Sequence, residues 1–109
     1  MANIQELTDS SYQETLQKTE FSIVDVYAAW CGSCRMFAPA FGEVADKNPD
    51  FGFFKIDGEK NPQFCEQVPI DNLPFVAVFH NGTFVGGQST SKKEALEEIV
   101  DLIRNRKNG

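Results

Sequence analysis

Residues 21–29, FSIVDVYAA, form an almost unbroken apolar run rich in β-branched and aromatic side chains. A strand that is apolar on both faces must be covered on both, as in a sheet with helices on each side. A sheet open to water on one face would alternate instead. The rest of the chain supplies those layers. Residues 34–48, CRMFAPAFGEVADKN, read as a helix with Met36, Phe37, Ala40, Phe41 and Val44 on one side and a kink expected at Pro39. FGFFKID, residues 51–57, is a second strand, and Asn61-Pro62 opens a short helix to about Val68. FVAVFHNGTFVGG, residues 75–87, is a hairpin turning at Asn81-Gly82. Ser91 and Glu94 have capping-box spacing before a helix whose stripe is Ala95, Leu96, Ile99, Val100 and Ile103. Ahead of all this stand a short strand around residues 4–7 and an amphipathic helix carrying Tyr12 and Leu16.

Early β-α-β alternation implies parallel pairing, and the late hairpin an antiparallel edge. The expected fold is α/β, with a mixed central sheet of about five strands and helices on both faces. No linker divides residues 1–109, so one domain is expected.

A net charge of −6 gives an acidic surface without clustered Lys and Arg, which argues against nucleic acid and anionic lipid as partners. No apolar run approaches the ~20 residues needed to span a membrane. MANIQELTDS has neither a basic nor an apolar leader region, so a cytoplasmic location is expected. Three cysteines is an odd number, which speaks against a structural disulfide framework.

The stretch AAWCGSC therefore needs another explanation. Cys31 follows the apolar strand and stands where the next helix begins, the favoured site position in open α/β sheets. Unsatisfied N–H groups and the helix dipole there stabilise an anion, so the Cys31 thiolate should form readily. Cys34 lies one turn further in, close enough to close a disulfide and expected to be the more buried. Asp25, six residues before Cys31, interrupts the apolar strand. If buried, its pKa should rise and it could exchange a proton with Cys34; the plainer alternative is a carboxylate turned to solvent. A zinc site needs four ligands, and Cys65 and His80 show no paired spacing, so no metal is expected. Cys65 reads as a half-buried core thiol and His80 as an exposed hairpin residue.

Together these residues resemble the thioredoxin family over nearly the whole chain. LTDSSY, VDVYAAWCGSCRMFAP, KIDGEKNP, NLPFVAVFHNG and the last helix follow in family order at close to family spacing. The resemblance implies the thioredoxin fold and a protein-disulfide reductase working without a cofactor of its own. Cys31 would be the attacking thiolate, Cys34 the resolving thiol and Asp25 the buried acid managing its proton. Trp30, Gly32 and Ser33 would shape the substrate groove. Pro74 matches the family's cis-proline, so Leu73–Pro74 is expected cis, with the Leu73 backbone ready to pair with an extended client segment.

The implied partners are disulfide-containing client proteins and an NADPH-dependent flavoprotein, thioredoxin reductase, with the chain itself a monomer. Several positions depart from the family pattern. Ser33 replaces a proline, and its hydroxyl should favour the thiolate and make the pair more oxidising. Tyr27 replaces a tryptophan. Phe53 stands in for a lysine beside the buried acid, with Lys55 as a substitute cation. Phe75 should make the groove more apolar, and Gly87, or else Gly86, should fill the groove's glycine position. The alternatives are a disulfide oxidant or isomerase of the same fold, or a module that only binds partners.

Overall fold

The computed structural model describes residues 4–108, so the ends of the expected 1–109 domain lie outside the described residues. The elements run β1 (Gln5–Leu7), α1 (Tyr12–Gln17), β2 (Phe21–Tyr27), α2 (Gly32–Lys47), β3 (Gly52–Asp57), α3 (Pro62–Glu66), β4 (Phe75–His80), β5 (Thr83–Ser89) and α4 (Lys93–Asn108). The five strands form one sheet in the order β1-β3-β2-β4-β5. β3 lies parallel to β1 and β2, whereas β4 is antiparallel to both β2 and β5. This is the thioredoxin fold that the sequence implied.

Alternation along β2 divides the core in two. Phe21 and Ile23 turn to the face covered by α2 and α4, where they join Phe37, Phe41, Val44, Leu96, Ile99 and Ile103. Val24 and Val26 turn to the other face with Leu7, Tyr12, Leu16 and Phe64. Each fully buried phenylalanine or aliphatic side chain contributes roughly 1.5–3 kcal/mol over its exposed state. The run is continuously apolar because both faces are covered. Among the described residues, no helix is long and apolar enough to cross a membrane.

The hairpin turns through Asn81 at φ 51° and Gly82 at φ 89°. Two consecutive left-handed residues match the twist of the flanking strands, which is why Asn-Gly stands there. A bulge between Val78 and Phe79 then shifts the β4–β5 register by one residue. α2 runs through Pro39 as one helix of 16 residues.

Three expectations about packing are corrected. Met36 is 82% exposed, because the buried stripe of α2 is Cys34, Phe37, Phe41, Val44 and Ala45, and position 36 falls beside it. Phe53 does not stand beside the acid; it pairs with Ile23 and packs on Phe41, while Lys55 is the register partner of Asp25. At the start of α4, the side-chain hydrogen bond runs from the Lys92 N–H to Thr90 Oγ1 (3.1 Å) rather than through Ser91 and Glu94.

Candidate active site

β2 delivers the chain to the start of α2, where Cys31 is the helix N-cap in extended geometry, φ −88° and ψ 107°. Its sulfur accepts the Cys34 N–H at 3.2 Å, and its carbonyl accepts the Arg35 N–H at 3.3 Å. A cap sulfur in this position meets the free N–H groups and the positive end of the helix dipole, which lowers the cost of a thiolate. Cys31 and Cys34 are joined as a disulfide, with their Cα atoms 5.3 Å apart. Ser33 Oγ lies 3.4 Å from Cys31 Sγ, within reach for a hydroxyl to donate to sulfur.

Burial of the two sulfurs differs from expectation. Cys31 is 5% exposed and Cys34 4%, so in the oxidised pair neither is markedly deeper. Ala28 lies buried with them, and Tyr27 and Leu73 pack against the group. Leu73–Pro74 is cis. Trp30 is 65% exposed, with its indole N–H donating to the Glu59 carboxylate. The Glu59 amide in turn donates to Asp57 Oδ1 (2.9 Å), which ties the loop after β3 to the tryptophan. Arg35 donates from Nη1 to the Ala29 carbonyl (3.0 Å), fastening the loop from the other side.

Asp25 is buried on the α2–α4 face, and its Oδ1 has no hydrogen-bond partner among the described residues. Burial pushes its pKa up to about 7, against the pull of Lys55 in the opposite direction. The solvent-facing alternative for this carboxylate is thereby excluded. Tyr27, which donates to the Glu6 carboxylate, has its pKa raised by burial first and then by that bond and the surrounding acids.

The hairpin register sets both β5 glycines away from Pro74. Gly87 pairs with Ala77 and Gly86 with Val78, so neither faces Pro74. The residue that reaches it is Thr90, whose N–H donates to the Pro74 carbonyl at 3.1 Å. Gly87 is required for another reason: a Cβ there would lie 2.6 Å from the Phe75 ring and 2.7 Å from the Val76 carbonyl oxygen. Phe75 is 3% exposed and belongs to the core under α1 and α3, so it does not line the groove. Cys65 is half-buried, its thiol donating to the Gly58 carbonyl at 3.2 Å, and burial raises its pKa. His80 is exposed and stacks on Phe21 with ring centroids 4.4 Å apart.

Sequence reasoning missed Thr90, Glu59 and Arg35. Arg35, directly after Cys34, was the only one of the three with a local signal.

A family model described as Thioredoxin matches residues 3–105. The chain belongs to the thioredoxin family. It is 34% identical over 103 residues to a thioredoxin of Staphylococcus haemolyticus, covering 90% of this chain and 95% of the relative. To a thioredoxin of Alicyclobacillus acidocaldarius it is 32% identical over 103 residues, covering 90% and 96%. A thioredoxin f2, solved in complex with ferredoxin:thioredoxin reductase, superposes with a TM-score of 0.87 over 93% of this chain and 94% of its own, at 21% identity. Its likeness is one of fold. With the Cys31–Cys34 disulfide at the start of α2, the chain is a thiol–disulfide oxidoreductase.

Proposed function

We propose that the chain acts as a reductant of protein disulfides, as a monomeric single domain in a reducing compartment such as the cytoplasm. The observation that carries this reading is the Cys31 sulfur seated as N-cap on α2, receiving the Cys34 N–H. In the reduced protein, the Cys31 thiolate attacks one sulfur of a client disulfide. The client's other sulfur leaves as a thiolate and takes a proton, and a mixed disulfide is formed. Cys34 then gives up its proton, with Asp25 as acceptor through an intervening water. Its thiolate attacks Cys31 Sγ, and the second client sulfur leaves. Two electrons have passed to the client, and Cys31–Cys34 is oxidised. Trp30, Gly32, Leu73 and Pro74 border this exchange, with the Leu73 backbone pairing with an extended client segment.

A reductase must return the pair to the dithiol, and we assign that role to an NADPH-dependent flavoprotein. The thioredoxin f2 complex supports a reductase as a class of partner. A second reading, a disulfide oxidant or isomerase, is favoured by the Ser33 hydroxyl beside Cys31, which stabilises the thiolate and with it the reduced form.

The test is trapping. A Cys34→Ser variant should accumulate a mixed disulfide with an oxidised client through Cys31, seen by intact mass, and Cys31→Ser should form none. Absence of any adduct, with no acceleration of client reduction by the unmodified chain, would overturn the reading.

A further inference from the structure

On the α2–α4 face, three strands bring three charged side chains into one row. Glu6 on β1 pairs with Lys55 on β3, and Lys55 pairs with Asp25 on β2. Register partners in neighbouring parallel strands point to the same face, so Lys55 stands between two acidic residues, its backbone one strand spacing of about 4.8 Å from each of theirs. Asp25 is buried, whereas Lys55 and Glu6 are exposed. Among the described residues Lys55 closes no ion pair within 4.0 Å, which leaves its ammonium free to turn toward either carboxylate.

Glu6 is not free in the same way. Its carboxylate accepts the Tyr27 hydroxyl, and Tyr27 packs against the buried group containing Cys31 and Cys34. The outer end of the row is thus tied back to the redox pair. The charged or titratable groups around Asp25 are Lys55 and Asp57 from β3, Glu6 from β1, Tyr27 from β2 and the cysteine pair of α2. β4 contributes Val76, which carries no charge. Glu6 lies two strand spacings from Asp25, roughly 10 Å, comparable with the Debye length at physiological salt. Its direct repulsion of Asp25 is therefore small, and its influence runs through the shared lysine.

We propose that Glu6 is a positioning residue for the dithiol chemistry: fixed by Tyr27, it competes with Asp25 for the Lys55 ammonium and so sets how readily Asp25 exchanges a proton with Cys34. The proposal rests on the dithiol reading above. Removing the Glu6 charge gives Lys55 wholly to Asp25, which then ionises at lower pH.

The test is a carbon-13 NMR titration of the Asp25 carboxyl in the oxidised full chain, for wild type, Glu6→Gln, Lys55→Gln and the double variant. Glu6→Gln should lower the Asp25 midpoint by about half a pH unit, and Lys55→Gln should raise it. In the Lys55→Gln background, Glu6→Gln should move the midpoint by less than half as much. An unmoved midpoint in Glu6→Gln, or an equal shift with and without Lys55, would overturn the proposal. The readout does not use catalysis, so a wild-type chain inactive on clients would sink the dithiol reading alone.

Discussion

Asp25 is buried directly across the sheet from Lys55, its register partner on β3, and one of its carboxyl oxygens finds no hydrogen bond among the described residues. Burial lifts its pKa from 3.8 to about 7. Between those values the folded chain holds a proton that the unfolded chain has released. Stability from this group is therefore full below about pH 4 and falls as pH rises to about 7. An Asp25→Asn variant, which mimics the protonated acid, should match wild type near pH 4 and exceed it by about 4 kcal/mol near pH 8. Urea unfolding of both oxidised proteins at the two pH values checks this. A difference independent of pH would contradict it.

Ser33 touches the nucleophile itself. Loss of a hydroxyl donor to a thiolate costs about 1.5 kcal/mol, so Ser33→Ala should raise the Cys31 pKa by about one unit. The thiolate's ultraviolet absorbance, followed against pH in the reduced protein, reads this directly. An unchanged midpoint would show that the 3.4 Å contact does not persist when the disulfide opens.

The two β5 glycines should respond in opposite ways. Among the described residues nothing lies within 4 Å of a Cβ on Gly86, whereas one on Gly87 meets the Phe75 ring and the Val76 carbonyl. Gly86→Ala should change stability by less than about 0.5 kcal/mol, while Gly87→Ala should cost about 1–3 kcal/mol. Thermal unfolding of the two variants separates them.

Cys31 and Cys65 of the reduced chain should alkylate in a fixed order. Cys31, on the helix N-terminus, reacts first at neutral pH. Cys65 follows slowly, because burial first and the charges of Asp9 and Asp57 next raise its pKa. Peptide mass mapping after brief iodoacetamide treatment checks the order, and early labelling of Cys65 would contradict it.

The sheet and both helical layers were legible because β2 is apolar on both faces and Asn81-Gly82 marks the only left-handed turn among the described residues. Cys31, Cys34 and Asp25 were legible because each is an anomaly in its local pattern, a thiol pair at a helix start and a carboxylate inside an apolar strand. The groove was not. Thr90, rather than Ser89, stands opposite Pro74 because a one-residue bulge shifts the hairpin register, and a bulge leaves no mark in residue types. Met36 was misplaced by helix phase, since the buried stripe runs from Cys34 through Phe37 and leaves position 36 at its side. Phe75 shares a strand face with Ala77 and Phe79, so strict alternation would have put it in the core.

In the proposed function, Cys31–Cys34 is a reversible two-electron couple poised to reduce clients. Its most direct test is equilibration in defined dithiol and glutathione buffers, followed by the fluorescence of Trp30, the single tryptophan, which lies next to Cys31. The expected result is one two-electron transition near the ~−270 mV of thioredoxins, displaced upward by no more than a few tens of millivolts by Ser33. A transition near ~−180 mV, in the isomerase range, or no cooperative transition at all, would contradict a reductant role.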